Sequence, residues 1–294
     1  MPEGARHALT EQLSPTDLQS LLLEVTRHRA GAVAPARLMQ RWKSDRFVHP
    51  AAIDPRRASG PEARLWQLLP DTFEGLELSP VTPLGTCKAL GAADQNRVLS
   101  TIRNSEVVSD LTNVLALEAA TRRRADPDRP VHLAACHRLL RNQQFPSGWS
   151  SHFKLFALVS SARDRGSGRT EAELLIAHLA YWQRVLRNVL PRRSAQIGYS
   201  IFDHPVLDQR FTDTVLPALH VPGEDQLDWV PDPERTRARG YYTSGALLIH
   251  ADGAELGDGG FTDWTARLLA DRKERCLISC LSIEGLLGLD PAIG

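Results

Sequence analysis

Three stretches near the end of the chain indicate its fold: Arg239-Gly240-Tyr241-Tyr242-Thr243-Ser244-Gly245, Gly257-Asp258-Gly259-Gly260-Phe261-Thr262-Asp263 and Cys276-Leu277-Ile278-Ser279-Cys280-Leu281-Ser282-Ile283-Glu284-Gly285-Leu286-Leu287. The first leads into an apolar run, the second opens a helical pattern, and the third joins an apolar strand to a glycine-bearing helix start. This alternation of strands, a glycine turn and helices is typical of a nucleotide or amino-acid pocket.

Composition sets the limits for any function of this chain. Its 294 residues are enough for one large domain or two small ones, and 42% of them are hydrophobic. The formal net charge is zero, which argues against a nucleic-acid-binding protein, since those carry a basic excess. The four cysteines form no CxxC pair, and there is no signal peptide or apolar run long enough to span a membrane. We therefore expect a cytoplasmic protein with no membrane association, no disulfide and no metal site.

Residues 1–70 and 71–294 differ in pattern. In the first part Ser14 and Pro15 open a helix that Gly31 can end, and Pro61 is expected to start a second, short helix. This part is either an N-terminal helical extension or the beginning of the main domain. Residues 71–294 form the main, catalytic-type domain.

Short strand patterns dominate the main domain. Strands are expected at 73–78, 97–101, 106–108, 131–140, 152–161 and 196–202, and helices from about 111, at 171–190 and at 211–219. The strands at 131–140 and 152–161 flank a polar loop. About seven strands, mostly linked as hairpins with helices between them, predict an α+β fold with a mainly antiparallel sheet flanked by helices.

The order of motifs adds a family resemblance. The chain carries Leu78-Ser79-Pro80, Val108-Ser109-Asp110-Leu111-Thr112, Leu140-Arg141-Asn142-Gln143 with His152-Phe153, and then the three stretches quoted first. In this order they resemble the catalytic domain of class II aminoacyl-tRNA synthetases, nearest to histidyl-tRNA synthetase and to the regulatory subunit of ATP phosphoribosyltransferase. The resemblance covers residues 73–287. It implies a homodimer that forms through the region around Pro80.

The resemblance also implies roles for individual residues. Arg141 matches the arginine that grips the α-phosphate and the substrate carboxylate, and Phe153 matches the ring that stacks on adenine. Further matches place Arg239 in the catalytic machinery. The substrate-binding positions implied in the same way are Asp110, Thr112, Tyr241, Tyr242 and Glu284, and Gly259 and Gly260 are implied to approach the cofactor, which would be ATP with magnesium.

Two departures from the family pattern concern ATP chemistry and tRNA. Gly285 stands where the family has an arginine that braces the γ-phosphate, and losing one such contact costs on the order of 10²–10³-fold in rate. Gln143 stands near the position of a loop glutamate. The chain also stops soon after Leu287, where synthetases continue into an anticodon-binding domain, so we expect tRNA not to be a partner.

Several candidates have an ordinary structural explanation beside the functional one. Arg141 is either an anion clamp or a surface arginine at a strand end, and Phe153 either stacks on a purine or belongs to the core. Asp110 can hold an ammonium group or cap the next helix, and Glu284 can bind a ligand or cap the helix at Gly285. The glycines at 257–260 either admit a ligand or form a tight hairpin.

Two functions from different classes remain open at this stage. In the first, the protein is a synthetase paralogue outside translation that binds an amino acid or a similar small carboxylate and can activate it with ATP. In the second, it is a catalytically inactive regulatory or scaffolding subunit that uses the inherited pocket to sense a ligand or a partner protein.

Overall fold

An eight-stranded sheet organises the chain in a computed structural model that describes residues 2–91, 94–144, 150–222 and 227–289. The ten strands in chain order are β1 (Glu74–Gly75), β2 (Val81–Pro83), β3 (Ser105–Val107), β4 (Val131–Leu140), β5 (His152–Arg163), β6 (Ala195–Ile201), β7 (Asp228–Pro231), β8 (Gly245–Ala251), β9 (Ala254–Thr262) and β10 (Glu274–Ser282). Strands β2 and β3 form a separate pair, and the other eight form the large sheet.

Helices surround this sheet. They are α1 (Ala5–His7), α2 (Pro15–Gly31), α3 (Pro35–Ser44), α4 (Pro55–Leu68), α5 (Thr86–Gly91), α6 (Leu111–Ala125), α7 (Arg169–Val189), α8 (Pro205–Arg210), α9 (Leu216–Leu219), α10 (Trp264–Leu269) and α11 (Ile283–Leu289), with short π or 3₁₀ segments at Ala8–Gln12, Gln95–Arg97 and Phe211–Val215.

The strand pairing confirms the predicted α+β class. The order in the large sheet is β1-β4-β5-β10-β9-β8-β6-β7. The five pairings from β4 through β6 are antiparallel, and only β1 on β4 and β7 on β6 run parallel. The small pair β2–β3 is also antiparallel.

The two faces of the sheet bury separate cores because successive side chains of a strand point to opposite sides. One face packs on α7, where Trp182 and Tyr181 are fully buried beside Phe156 of β5 and Leu281 of β10. The other face packs on α6. Its core includes Leu111, Leu115, Leu155, Ala157 and Ile278.

Local signals place several helix ends correctly. Ser14 caps α2 by accepting a hydrogen bond from the amide of Asp17, at 3.1 Å. Asp110 caps α6 by accepting one from the amide of Thr112, at 3.0 Å. In each case a short polar side chain satisfies an amide that has no partner within the helix.

Four sequence predictions are corrected. Pro61 does not start a helix, because α4 already begins at Pro55 and contains it. The strand predicted at 73–78 is only two residues long, Glu74–Gly75. Residues 97–101 do not form a strand, because a 3₁₀ turn and an isolated bridge occupy this segment, and β3 pairs with β2 instead.

The fourth correction concerns the glycine-rich stretch at 257–260. It does not form a turn, because it lies inside β9, paired with β10 on one side and with β8 on the other. The tight turn of this hairpin is Asp252-Gly253, where both residues have positive φ values of 50° and 78°.

Helix α4 connects residues 1–70 to the main core. Its Leu65 is fully buried, and Leu68 and Ala58 also belong to the core on the α7 face of the sheet. The hydroxyl of Tyr181 donates to the carbonyl of Leu65 at 3.0 Å. The helices before α4 contain no buried residue in the part of the chain that the structure describes.

Candidate functional site

A cavity of about 440 Å³ opens on the α6 face of the sheet, at the N-terminal end of α6. The strands β9 and β10 supply part of its lining, and α5, the start of α6, Arg141 and the segment 237–242 supply most of the rest. Five sequence-predicted site residues come together in its lining: Asp110, Thr112, Arg141, Tyr241 and Tyr242.

Arg141 follows directly after β4, and its guanidinium is held from two sides. Its Nε donates to the carbonyl of Ser109 at 2.8 Å, and one Nη lies 3.7 Å from Asp110. The guanidinium also covers the ring of Phe153, with 5.3 Å between its carbon and the ring centroid. About a third of the side chain, 32%, is exposed, so the fork retains donors for an anion.

Asp110 combines the two functions that the sequence left open. Its Oδ1 caps α6 by accepting from both the amide and the hydroxyl of Thr112, at 3.0 and 2.6 Å. Its Oδ2 faces Arg141.

Asn113, the residue after Thr112, lines the cavity as well, and its buried Oδ1 accepts no hydrogen bond from any described residue. A buried acceptor without a partner costs free energy until a donor reaches it.

Asp258 was quoted within the glycine-rich stretch but was not predicted as a site residue. It lies on β9 with its carboxylate in the cavity, where it accepts from the hydroxyl of Tyr242 at 3.0 Å and from the thiol of Cys280 at 3.6 Å. Only the pairing of β9 with β10 brings Asp258 beside Cys280. The glycines at 257–260 favour a turn in the sequence and so hide the strand that orients Asp258.

Burial is the largest influence on the ionisation of this cluster. It raises the pKa of Asp258 above the usual value of 3.8; the hydrogen bond from Tyr242 opposes this shift, and the nearby charge of Asp110 adds to it. Burial likewise raises the pKa of Cys280 well above its usual range, with the Asp258 charge as the second cause. Cys280 is therefore a neutral hydrogen-bond donor near neutral pH rather than a nucleophile.

Replacing Asp258 by asparagine should stabilise the ligand-free protein at neutral pH. A carboxyl whose pKa is raised on folding contributes stability below its unfolded value near 3.8, and this contribution is lost as the pH rises through the folded value. The Asp258→Asn variant should therefore exceed the wild type in unfolding free energy at pH 7, with a smaller difference at pH 3.5. Urea denaturation at both pH values measures this, and equal differences at the two values would contradict it.

Five predicted residues are not part of the cavity lining: Arg239, Glu284, Phe153, Gly259 and Gly260. Arg239 pairs with Asp203 at 3.2 Å on the surface and covers the ring of Phe202. Glu284, in the first turn of α11, accepts from the amide of Lys154 at 2.9 Å and lies 3.3 Å from Arg138. The suggestion that Glu284 caps α11 is wrong, because the hydroxyl of Ser282 accepts from the amide of Gly285.

Gly259 and Gly260 are surrounded by protein rather than by open space. A Cβ on Gly259 would lie 2.5 Å from the carbonyl oxygen of Ile278. One on Gly260 would lie 2.5 Å from the carbonyl oxygen of Gly245 and from the ring of Tyr242. Both glycines thus admit the close approach of neighbouring strands and of a tyrosine ring.

The fit of ATP to these residues is poor. One face of Phe153, the ring implied to stack on adenine, is covered by Arg141. Gly285 has Ser282 and Leu256 as neighbours. Arg275 is a basic residue on the preceding strand that could in principle supply the missing charge. It is bound to Glu171 and Asp164 at the opposite end of β10, about 23 Å along the strand from Ser282.

No group of three or more histidine, cysteine, aspartate or glutamate side chains within 2–91, 94–144, 150–222 and 227–289 is arranged to hold a metal ion. No helix in these described ranges is both long and apolar enough to cross a membrane. Residues 145–149, in the polar loop between Leu140-Arg141-Asn142-Gln143 and His152-Phe153, lie outside the described residues.

Comparison with solved structures shows that the fold is that of class II synthetase catalytic domains. Histidyl-tRNA synthetase from S. aureus superposes with a TM-score of 0.62 at 16% identity, over 83% of this chain and 68% of that one. An ATP phosphoribosyltransferase regulatory subunit/histidyl-tRNA synthetase from Bacillus halodurans also gives 0.62, at 12% identity over 82% and 81%. Pyrrolysyl-tRNA synthetase from Desulfitobacterium hafniense gives 0.54, at 11% identity over 87% and 75%.

At these identities the likeness shows a shared fold and nothing about chemistry. The sequence matches no protein-family profile and no curated protein.

Proposed function

We propose that the cavity at the start of α6 binds an amino acid or a similar small zwitterion, and that the protein senses this ligand rather than activating it. The observation that carries the proposal is the meeting of Asp110, Asp258 and the Oδ1 of Asn113, which has no partner among the described residues, with Arg141 in one cavity. Carboxylate and amide oxygens accept from an ammonium group, and an arginine fork pairs with a carboxylate.

The size and polarity of the cavity support this ligand class. A volume of about 440 Å³ is within the range of small-molecule sites. Tyr241 and Tyr242 supply aromatic walls, and Tyr241 is held edge-on against Trp264, with 5.7 Å between the ring centroids. A rigid aromatic wall suits the side chain of an amino acid, while the charged groups fix its orientation.

Two features favour sensing over activation. The arginine that would brace the γ-phosphate is absent at Gly285, and Arg141 covers one face of the ring that would receive adenine. One structural neighbour is described as an ATP phosphoribosyltransferase regulatory subunit/histidyl-tRNA synthetase, and this description supports a regulatory role with a partner protein. The expected homodimer around Pro80 is part of this proposal, and Val81 and Leu84 beside it are exposed.

The affinity of the cavity for amino acids tests the proposal. We expect isothermal titration calorimetry with the twenty standard amino acids, one at a time, to give saturable binding for at least one of them. The Arg141→Gln variant should weaken it by about 10–100-fold, because charge-assisted hydrogen bonds contribute about 1.5–3 kcal/mol. Arg124→Gln, on the exposed end of α6, is the matched control and should bind like the wild type. No binding to the wild type, or equal loss in both variants, would contradict the proposal.

The second candidate function is activation of the bound acid by ATP. The retained Arg141 favours it, since an arginine there can orient a carboxylate against the α-phosphate. Exchange of radioactive pyrophosphate into ATP, in the presence of the amino acid that binds, separates the two functions. We expect no exchange; exchange that disappears in Arg141→Ala would establish an activating enzyme and overturn the sensing role.

A further inference from the structure

A larger cavity, of about 620 Å³, lies on the α7 side of the sheet and takes no part in the site described above. The last two turns of α7, the start of β6 and α9 surround it. Its lining combines the exposed apolar side chains of Pro191, Ala218 and Val221 with three arginines, Arg184, Arg187 and Arg193. No aspartate or glutamate is among the described residues that line it.

A second hollow, of about 290 Å³, adjoins this cavity and continues its basic character. Asn188 lines both of them. Its side-chain oxygen accepts from Arg64 of α4 at 2.9 Å. Arg184 donates to the carbonyl of Leu68, one helical turn after Arg64. The guanidinium groups of Arg64 and Arg184 therefore both lie at the last turn of α4, near Asn188.

The charges of these arginines are compensated unequally. Arg193 forms an ion pair with Asp252 at 3.0 Å, and Arg56, which lines the second hollow, forms one with Asp54. Arg64 and Arg184 donate to neutral oxygens, those of Gln67, Asn188 and Leu68. Neither has a carboxylate within ion-pair distance in the described part of the chain.

We propose that the arginine-lined cavity binds a small organic phosphate whose apolar body lies on the exposed side chains of Pro191, Ala218 and Val221. A planar guanidinium pairs with phosphate oxygens through two parallel hydrogen bonds, and arginine is favoured over lysine for this purpose. A cavity that combines apolar walls with a few polar groups, and that falls within 300–1,000 Å³ as an approximate range, is typical of small-molecule sites. This inference is independent of the amino-acid site.

Phenyl phosphate is a suitable probe because it joins one phosphate to one apolar ring. We expect isothermal titration calorimetry at low salt to show saturable binding to the full chain, tighter than that of inorganic phosphate. Arg184→Gln should weaken the binding about 10-fold, through loss of a charged donor. The contact between Arg184 and Leu68 could be needed for folding. Arg64→Gln therefore serves as a second variant, because it leaves this contact intact.

Two controls make the outcome decisive. Arg141→Gln should leave phenyl phosphate binding unchanged, because Arg141 lines the other cavity, and Arg124→Gln controls for loss of a surface charge. Absence of binding to the wild type would overturn the proposal. Binding that Arg141→Gln abolishes while folded Arg184→Gln and Arg64→Gln variants retain it would also overturn it, since the phosphate would then occupy the amino-acid site.

Discussion

Replacing Arg123 by alanine should lower the free energy of unfolding by about 3–5 kcal/mol, because it leaves the Glu274 carboxylate buried without its partner. Arg123 is on α6 and Glu274 is the first residue of β10, and their side chains are 0% and 3% exposed. The pair is bidentate, with bonds of 3.0 and 2.8 Å, and a third nitrogen of Arg123 donates to the carbonyl of Arg129 at 2.6 Å.

Urea denaturation of the wild type and the variant measures this loss. The matched control is Arg165→Ala, which breaks the ion pair between Arg165 and Glu173, whose side chains are 57% and 58% exposed. That change should cost no more than about 1 kcal/mol, because solvent already screens an exposed pair. A double replacement, Arg123→Met with Glu274→Leu, should recover much of the loss. Equal losses in the two single variants would show that the buried pair is not what anchors α6 to the sheet.

Replacing Gly259 by alanine should cost about 1–3 kcal/mol or more, because the new methyl group has no room between β9 and β10. Its Cβ would lie 2.5 Å from the carbonyl oxygen of Ile278 and 2.7 Å from the Cβ of Ser279. Backbone atoms in the middle of a sheet cannot move aside without breaking the ladder of hydrogen bonds. Thermal and urea unfolding of the purified variant measure the effect.

Gly60→Ala is the control for this glycine. Gly60 is inside α4, and a Cβ there meets no atom within 4 Å. Alanine favours a helix over glycine by about 0.8–1.0 kcal/mol, so this variant should be more stable than the wild type. If Gly259→Ala unfolded like the wild type, the glycine would have to be explained by ligand approach instead of strand packing.

The elements that local patterns predict well are those whose cause lies within a few residues. Ser14 and Asp110 cap their helices because a short polar side chain reaches an amide two or three residues later. The strands at 131–140 and 152–161 are confirmed as β4 and β5, because a short apolar run bounded by polar residues is visible in a single segment. These elements, read in order, predict the α+β class, whereas the likeness to class II synthetases rests on the resemblance of the quoted motifs.

The composition of the candidate site was predicted less completely. The resemblance implies that Arg141 and Asp110 contact different groups of one substrate, and the structure places the two side chains 3.7 Å apart. Asp258 was missed because its orientation depends on whether 257–260 is a turn or a strand. Arg239 and Glu284 were expected in the pocket, but each is bound to charged or backbone groups elsewhere.

The chain alone therefore predicts the longer helices and strands, and it shows which residues can carry a charge into a pocket. Tertiary structure decides which of those charges meet. Strand register places Asp258 opposite Cys280 and within reach of Tyr242, and packing of α6 on the sheet buries Arg123 against Glu274, 151 residues away in sequence. Contacts of this kind depend on the whole arrangement of the sheet, so no local pattern in the sequence contains them.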